Sequence, residues 1–597
     1  MPTEPVWPRR FTATRLQFPS WAAAAPDRLA LVTNRSGSWQ AWAHDLATGT
    51  WRQVSDEAVG VEEVHVAPDG RIVWFRDDSG DETGAWVAQA FEGGPVAPLL
   101  PGLPQGWSTG LAMTPGRVAA GREVDGEFRV YVAEAGGDPR PVYRSAAPCG
   151  VGAEWPAGAG GLSPDGRLLC IRHTEHGDIL RPALRILDAA TGQPVADFDD
   201  TPRRLEAGCW SPDSTRFAFT NERGDRARPS VWHADGGARH DLDAGFPGDV
   251  IAVDWFPGGD ALLVRHEVAG RGELHRLDPT SGALGRLAAP GGDLTDARVR
   301  PDGDVWFHTS DGARPPRILD LRGGEPVVSP DAPPPPGRPH RARWITNPHG
   351  DRSQAFVVTP DGEGPFPLVL SVHGGPEWHE RDAYDPQTQA FVDAGYAVAL
   401  PNYRGSTGYG VAFREALVGN VCWTETEDLM TVLDLLVAEG VADAGRVFWS
   451  GWSWGGCLAC FNAGVNPDRF RAIFAGIPAG DFVAAHWASA PELQAWDDAV
   501  YGGSPDEVPE AYARSDPMTY ADAVRAPTLV IAGEHDPRCP IEGITPWVEA
   551  VRAHGAQVEV HTYPAGHHTN DMQGQVDHLR TILHFFARHG GPSHGEG

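Results

Sequence analysis

Three serines in this chain sit in the pattern G-x-S-x-G: Ser108 in GWSTG, Ser453 in GWSWG and Ser593 in GPSHG. A serine on a tight strand-to-helix turn exposes its hydroxyl and aims the following backbone N–H at a substrate. The flanking glycines are needed because side chains there would strike the neighbouring strand and helix. Only Ser453 has this context. RVFWS precedes it as a strand, and Gly455-Gly456-CLACFNAG follows as a helix. Ser108 lies among Gly- and Pro-rich turns, and Ser593 lies in a polar tail. A hydroxyl presented this way attacks acyl carbon once a base takes its proton.

The base and its orienting acid should follow in the order serine, acid, histidine. The apolar run Ala526–Ala532 ends in Gly533-Glu534-His535-Asp536. A carboxylate on a loop after a strand can orient an imidazole and stabilise its cation, so Asp536 is the expected acid and Glu534 its competitor. The run VEVHTYP ends in Ala565-Gly566-His567-His568. His567, directly after Gly566, is the expected base, with His568 as the alternative. His373 precedes the nucleophile and is read as a loop organiser. A tetrahedral intermediate also needs two donors for its oxyanion. One is the backbone N–H of Trp454. The other comes from the loop Ser371–Pro376, SVHGGP, whose glycines let backbone approach a substrate. No H-E-x-x-H and no Cys/His quartet occurs, so no metal is expected. Cys457 and Cys460 form a C-x-x-C on an apolar helix without a second pair, which reads as core packing.

These residues need a scaffold, and the second half supplies one. Apolar strand-like runs occur at Ala355–Val358, Leu368–Val372, Ala397–Leu400, Val447–Trp449, Ala472–Phe474, Thr528–Ala532 and Val558–Thr562. Helical patterns lie between them. The clearest runs from Glu425 to Glu439, with Leu429, Val432, Leu433, Leu436 and Val437 on one face and Thr424-x-x-Glu427 as a capping box. The last helix shows Val576, Leu579, Leu583 and Phe586. This alternation predicts an α/β domain with a mostly parallel sheet. Six tryptophans crowd the expected site: Trp378, Trp423, Trp452, Trp454, Trp487 and Trp496. Trp452 and Trp454 flank the nucleophile and point to an apolar or aromatic substrate side chain. The stretch Asp481–Tyr501 is expected as a helical insertion shaping that pocket. Arg404 is placed either in the scaffold or against a substrate carbonyl.

The first half repeats itself. A Pro-initiated turn recurs at Pro26, Pro68, Pro115, Pro164, Pro212, Pro257 and Pro301, spaced by 42, 47, 49, 48, 45 and 44 residues. A strand-like run follows each turn, and a second, Gly-containing turn comes about two dozen residues later. Short strands at this period fit one four-stranded blade per repeat, so seven repeats predict an all-β seven-bladed propeller. The Pro-rich run Ser329–Pro339 reads as a stiff linker. The expected organisation is an N-terminal segment over 1–18, the propeller over 19–328, the linker over 329–340, the α/β-hydrolase domain over 341–590 and a tail over 591–597.

Bulk properties narrow the function. The chain has 597 residues, too many for one core, and a formal net charge of −31 with arginine as its sole strong base. Such a charge repels nucleic acid and anionic membranes, and neither is expected as a partner. No run of 18 apolar residues and no signal-type leader is present. Seven scattered cysteines suggest reduced thiols and a cytoplasmic location. A homo-oligomer is compatible with all of this.

LSVHGGP, PNYRGSTGYG, SGWSWGG, GEHD and YPAGHH, in that order after a propeller, resemble the prolyl oligopeptidase family. The likeness is to its acylaminoacyl-peptidase and dipeptidyl-peptidase branch. The resemblance implies a serine peptidase acting on short peptides, with Ser453 as nucleophile, Asp536 as acid and His567 as base. It implies an oxyanion hole from the amides of Gly375 and Trp454, no cofactor, a propeller that restricts substrate size, and an N-terminal segment packed on the hydrolase domain. The chain departs from the family at three places. Its histidine loop reads Ala-Gly-His-His, His373 stands where some branches carry an oxyanion-hole tyrosine, and Glu62-Glu63 matches the amine-anchoring acidic pair by composition alone. Two competing functions are an esterase or amidase acting on a small natural product, and a non-enzymatic scaffold.

Overall fold

The computed structural model describes residues 6–154, 158–243 and 245–593. The first residues of the expected N-terminal segment and the end of the expected tail, including part of the Ser593 motif, lie outside the described residues. The chain forms two compact units. One contains Arg15–Thr309 and Pro316–Asp331; the other contains the residues up to Thr14, Ser310–Pro315 and everything from Ala332 onward.

The first unit is built from antiparallel sheets that follow one another along the chain. Among the described residues, four have four strands, one has three, and one has eight. The recurring turns occupy fixed places. The Pro turns from Pro68 onward join the first and second strands of a set, as at Pro212 between Leu205–Trp210 and Arg216–Asn221, while Pro26 falls at the start of the second strand, Ala25–Thr33. Each Gly turn follows the third strand, as at Gly192 between Ala183–Asp188 and Pro194–Phe198. The eight-stranded sheet arises where Thr83–Gln89 pairs with Gly106–Thr114 through Thr83–Trp107 and Gly84–Gly106. A Cβ on Gly84 would lie 2.0 Å from the Arg76 carbonyl oxygen, so only glycine permits this merger. The first and last sheets share a core of Leu16, Trp21, Leu29, Leu31, Trp306, Ile318 and Val328. The Arg300 guanidinium lies over the Trp21 and Trp306 rings, 4.9 and 4.2 Å from their centroids, and pairs with Asp27.

The second unit is an eight-stranded sheet: β1 Arg341–Thr346, β2 Arg352–Val358, β3 Phe366–Val372, β4 Ala397–Asn402, β5 Ala442–Trp452, β6 Ala472–Gly476, β7 Thr528–Gly533 and β8 Val558–Tyr563. Its order is β1-β2-β4-β3-β5-β6-β7-β8, antiparallel at β1–β2–β4 and parallel beyond. The helices that matter for the site are α1 Pro386–Asp393, α2 Trp423–Ala438, α3 Trp454–Val465, α4 Phe482–Ala488, α5 Pro491–Tyr501 and α6 Met572–Arg588. Strands β2 to β7 bury residues such as Val369, Phe448 and Leu529 completely, in one core with Phe391 of α1 and Phe586 of α6. Parallel strands must be covered on both faces, which explains their continuous apolar runs.

Three expectations change. Helix α2 starts at Trp423 rather than behind a capping box: Cys422, at φ 66°, is its N-cap, without a side-chain cap bond. Thr424 lies inside the helix and accepts from Asn420, while Glu427 turns to Arg404. Strand β1 begins directly after the Pro-rich run, where no strand was expected. That run is also no free spacer, since the carbonyls of Pro335 and Pro336 accept from Arg10.

Candidate active site

Ser453 stands between the end of β5 and the start of α3, at φ 54° and ψ −124°. This is strained backbone for a residue with a Cβ, and such strain concentrates at functional sites. The glycines around it are sterically required. A Cβ on Gly451 would approach the Gly455 carbonyl oxygen to 2.2 Å, one on Gly455 the Val372 oxygen to 2.1 Å, and one on Gly456 the Gly476 oxygen to 2.5 Å. The Ser453 N–H donates to the Gly476 carbonyl at 2.9 Å, which ties the turn to β6.

The loops after β7 and β8 bring the other two groups. His567 Nε2 lies 3.1 Å from Ser453 Oγ. Its Nδ1 lies 2.8 and 3.0 Å from the Asp536 carboxylate oxygens. Asp536 also accepts the backbone N–H groups of Arg538 and Cys539 at 2.8 and 2.9 Å. Burial alone would push this carboxyl up, but the bonds from His567 and the two amides hold it below its ordinary value. The two loops are bonded to each other: Glu534 N–H donates to Tyr563 O, and His535 N–H to Ala565 O. Gly533 is what lets them meet, because a Cβ there would lie 2.2 Å from the Gly566 oxygen.

The competitors are placed elsewhere. Glu534 is exposed and accepts from Thr562. His568 is exposed, its ring edge-on to His567. Ser108 receives an N–H from Trp86 inside the strand Gly106–Thr114.

The loop after β3 crosses in front of the elbow. A Cβ on Gly374 would come within 3.2 Å of the Ser453 Cβ. Gly375 follows at φ 117°, a conformation that suits glycine. His373 is buried, stacked on Tyr403 at 4.2 Å, with Nε2 2.9 Å from Ser406 Oγ and Nδ1 2.8 Å from the Gly374 carbonyl. Burial pushes its pKa down to about 3, so the ring is neutral. It braces the loop that carries Gly374 and Gly375. Trp454 opens α3, so its N–H belongs to the first turn, where no carbonyl of the same helix can accept it.

The prolyl oligopeptidase family model matches residues 383–593, the stretch that carries Ser453, Asp536 and His567. Over that stretch, about a third of the chain, the protein is similar to the prolyl oligopeptidase family. Acylamino-acid-releasing enzyme 2 of Oryza sativa subsp. japonica is 28% identical over 264 residues, covering 41% of this chain and 34% of that enzyme. The acylamino-acid-releasing enzyme of Rattus norvegicus is 25% identical over 410 residues, covering 64% and 50%. The chain thus spans a third to a half of these curated relatives. In fold, it resembles a puromycin-hydrolyzing peptidase of Mycobacterium tuberculosis with a TM-score of 0.82, at 20% identity, over 100% of this chain and 97% of that one.

Within this unit the tryptophans separate. The Trp454 ring meets Trp496 of α5 edge-on at 5.6 Å and lies parallel to Phe482 of α4 at 6.0 Å. Helices α4 and α5 are therefore the insertion expected over Asp481–Tyr501, with Asp481 as the N-cap of α4. Trp452 does not join them. It packs edge-on against Phe474, donates to Gln387 of α1 and leans on the core shared with α6. Trp452 closes β5 and Trp454 opens α3, so the chain turns between them and their rings pack against different neighbours. Trp423 packs on Phe461 and Tyr520, while Trp378 and Trp487 are about half exposed.

Arg404 is spoken for within the domain. Its guanidinium faces Asp428 at 3.0 Å, Glu427 at 2.5 Å and Asp351 at 3.4 Å, none of them in the triad. These three acids surround its guanidinium and tie it to the domain's own scaffold. Glu62 and Glu63 lie in the other unit, just before Val64–Val66, and Glu63 pairs with His65 at 2.8 Å.

Sequence reading missed Glu425, which is fully buried and accepts the Trp454 indole N–H at 3.3 Å. It also missed Ser406 and Tyr403, which brace His373. No spacing rule could reveal them, because they reach the site across the sheet.

Proposed function

We propose that this chain is a serine peptidase that cleaves short peptides or aminoacyl amides through an acyl-enzyme. The observation that carries the reading is the unbroken line from the Asp536 carboxylate through both His567 nitrogens to a strained Ser453. Asp536 keeps the His567 proton on Nδ1, leaving Nε2 free to take the Ser453 proton as Oγ attacks the scissile carbonyl. The oxyanion that forms is received by the Trp454 and Gly375 amides. His567 then returns the proton to the departing amine, and water repeats the sequence to release the acyl group. No step calls for a cofactor.

The acylamino-acid-releasing relatives and the puromycin-hydrolyzing neighbour favour release of a single N-terminal residue, blocked or free. Trp454, Phe482 and Trp496 provide an apolar wall suited to the side chain of that residue. Glu62 and Glu63 are candidate anchors for a free amine. The seven-strand-set arithmetic and the core shared by the first and last sheets support a closed seven-bladed propeller that limits substrate length. Cysteines free of disulfides support a cytoplasmic setting.

The test is a fluorophosphonate label followed by a substrate panel. Wild type should take the label and Ser453→Ala should not; an unlabelled wild type ends the proposal. Aminoacyl, N-acetyl-aminoacyl and dipeptidyl chromogenic amides and puromycin should be turned over alongside simple esters. Turnover of esters alone would replace the peptidase reading with that of a small-molecule esterase.

A further inference from the structure

The absence of familiar metal motifs in the sequence does not exhaust the chain's metal-binding chemistry. In the first unit, strands Leu262–Val268 and Arg271–Leu277 form a hairpin in which His266 lies opposite Glu273 and Val264 opposite His275. Residues two apart on a strand share a face, so His266, Glu273 and His275 stand together on one side of the hairpin. One ligand atom from each lies within 4.8 Å of the others.

The details favour a cation over simple packing. His266 Nε2 lies 2.6 Å from the Pro247 carbonyl, which can only accept, so the neutral ring carries its proton there and its lone pair on Nδ1. That Nδ1 is buried, has no hydrogen-bond partner among the described residues, and faces Glu273 Oε2 at 3.9 Å. His275 Nε2 is hydrogen-bonded to the same oxygen at 3.2 Å, and a cation bound here would take the place of that proton. Arg286 engages the other carboxylate oxygen, Oε1, at 2.9 Å, which leaves Oε2 as the single oxygen turned to the two rings. Both histidines are more than nine-tenths buried, and Phe246 packs edge-on against both. Ligands about 2.0–2.2 Å from a tetrahedral ion stand roughly 3.3 Å apart; His275 Nε2 and Glu273 Oε2 are already at 3.2 Å, and His266 Nδ1, at 3.9 Å from that oxygen, would close in on the ion. A carbonyl that orients a ligating histidine through its far nitrogen is a regular feature of such sites.

We propose that His266 Nδ1, Glu273 Oε2 and His275 Nε2 bind a divalent first-row transition ion of the zinc type, with water completing its coordination. The Glu273 side chain is one-third exposed, which gives the ion a way in and the water a place. The ion would pin the central hairpin of its sheet to the Phe246–Pro247 loop. It stands apart from the triad and does not depend on the peptidase reading.

The experiment uses the full chain, stripped with a chelator and titrated with zinc chloride in a calorimeter, with magnesium chloride as the contrast. Wild type should bind one zinc ion that magnesium does not displace, and its thermal midpoint should rise. His266→Asn and Glu273→Gln should each weaken that binding at least tenfold. Far-ultraviolet circular dichroism reports that the variants are folded. Should either variant fail to fold, His275→Gln provides the same comparison. A stripped wild type that takes up no zinc, or variants that lose less than tenfold, would overturn the site.

Discussion

At the scale of single residues, the triad is a set of groups that spend one another's hydrogen-bonding capacity. Asp536 accepts from His567 and two amides, so its loss disturbs orientation more than fold. Asp536→Asn should lower kcat by about 10⁴ while KM stays within a few-fold, read by steady-state kinetics on an aminoacyl amide. Arg404 makes the opposite forecast. Its partner Asp428 is almost wholly buried, so Arg404→Ala strands a buried charge and should cost about 3–5 kcal/mol by denaturant unfolding, with KM unaltered. A selective rise in KM would return Arg404 to the substrate. Glu425 carries a pH dependence. Burial pushes its carboxyl from 4.5 up to about 8. Between those values the unfolded chain gives up a proton that the folded chain keeps, so stability falls as pH rises through this window. Glu425→Gln has no proton to lose. Its thermal midpoint relative to wild type should therefore move upward between about pH 5 and pH 8, and a constant difference would refute the buried neutral acid.

At the scale of elements, the elbow is decided by backbone crowding. Gly455→Ala would force a Cβ to 2.1 Å from the Val372 oxygen, with backbone on both sides of the contact. The variant should lose activity at least as fully as Ser453→Ala and melt at a lower temperature, as followed by circular dichroism. This crowding was legible in the sequence, because a G-x-S-x-G between a strand and a helix has few other uses. Helix α2 was legible on its apolar face but not at its start. Thr424-x-x-Glu427 satisfies the capping pattern, yet Asn420, four residues earlier, donates to Thr424, and Arg404, from the loop after β4, claims Glu427.

At the scale of the whole molecule, the division into two units was readable from texture, repeating turns before the Pro-rich run and alternating strands and helices after it. Its exact borders were not, since Ser310–Pro315 groups with the hydrolase unit. The short helix Pro8–Thr12 also groups with that unit, where the family resemblance put the N-terminal segment: Arg10 is buried against Asp393, the Tyr384 hydroxyl and the carbonyls of Pro335 and Pro336, and Trp7 and Phe11 enter the core beside α1 and α6. Arg10→Ala should destabilise that unit by about 3 kcal/mol, seen as a lowered denaturation midpoint with labelling of Ser453 intact under native conditions. The sequence by itself singled out Ser453, Asp536 and His567, which the structure brings within hydrogen-bond distance of one another, because each sits on a loop whose strand and glycines can be read from neighbours in the chain. It also determined the fold class of both halves, since periodicity is a local property. Only the tertiary structure decided which tryptophan turns to the pocket, where Arg404 spends its charge, what braces His373, and that His266, Glu273 and His275 converge. Those outcomes depend on strand register and on which face a side chain takes, and both are fixed by partners far away in the chain.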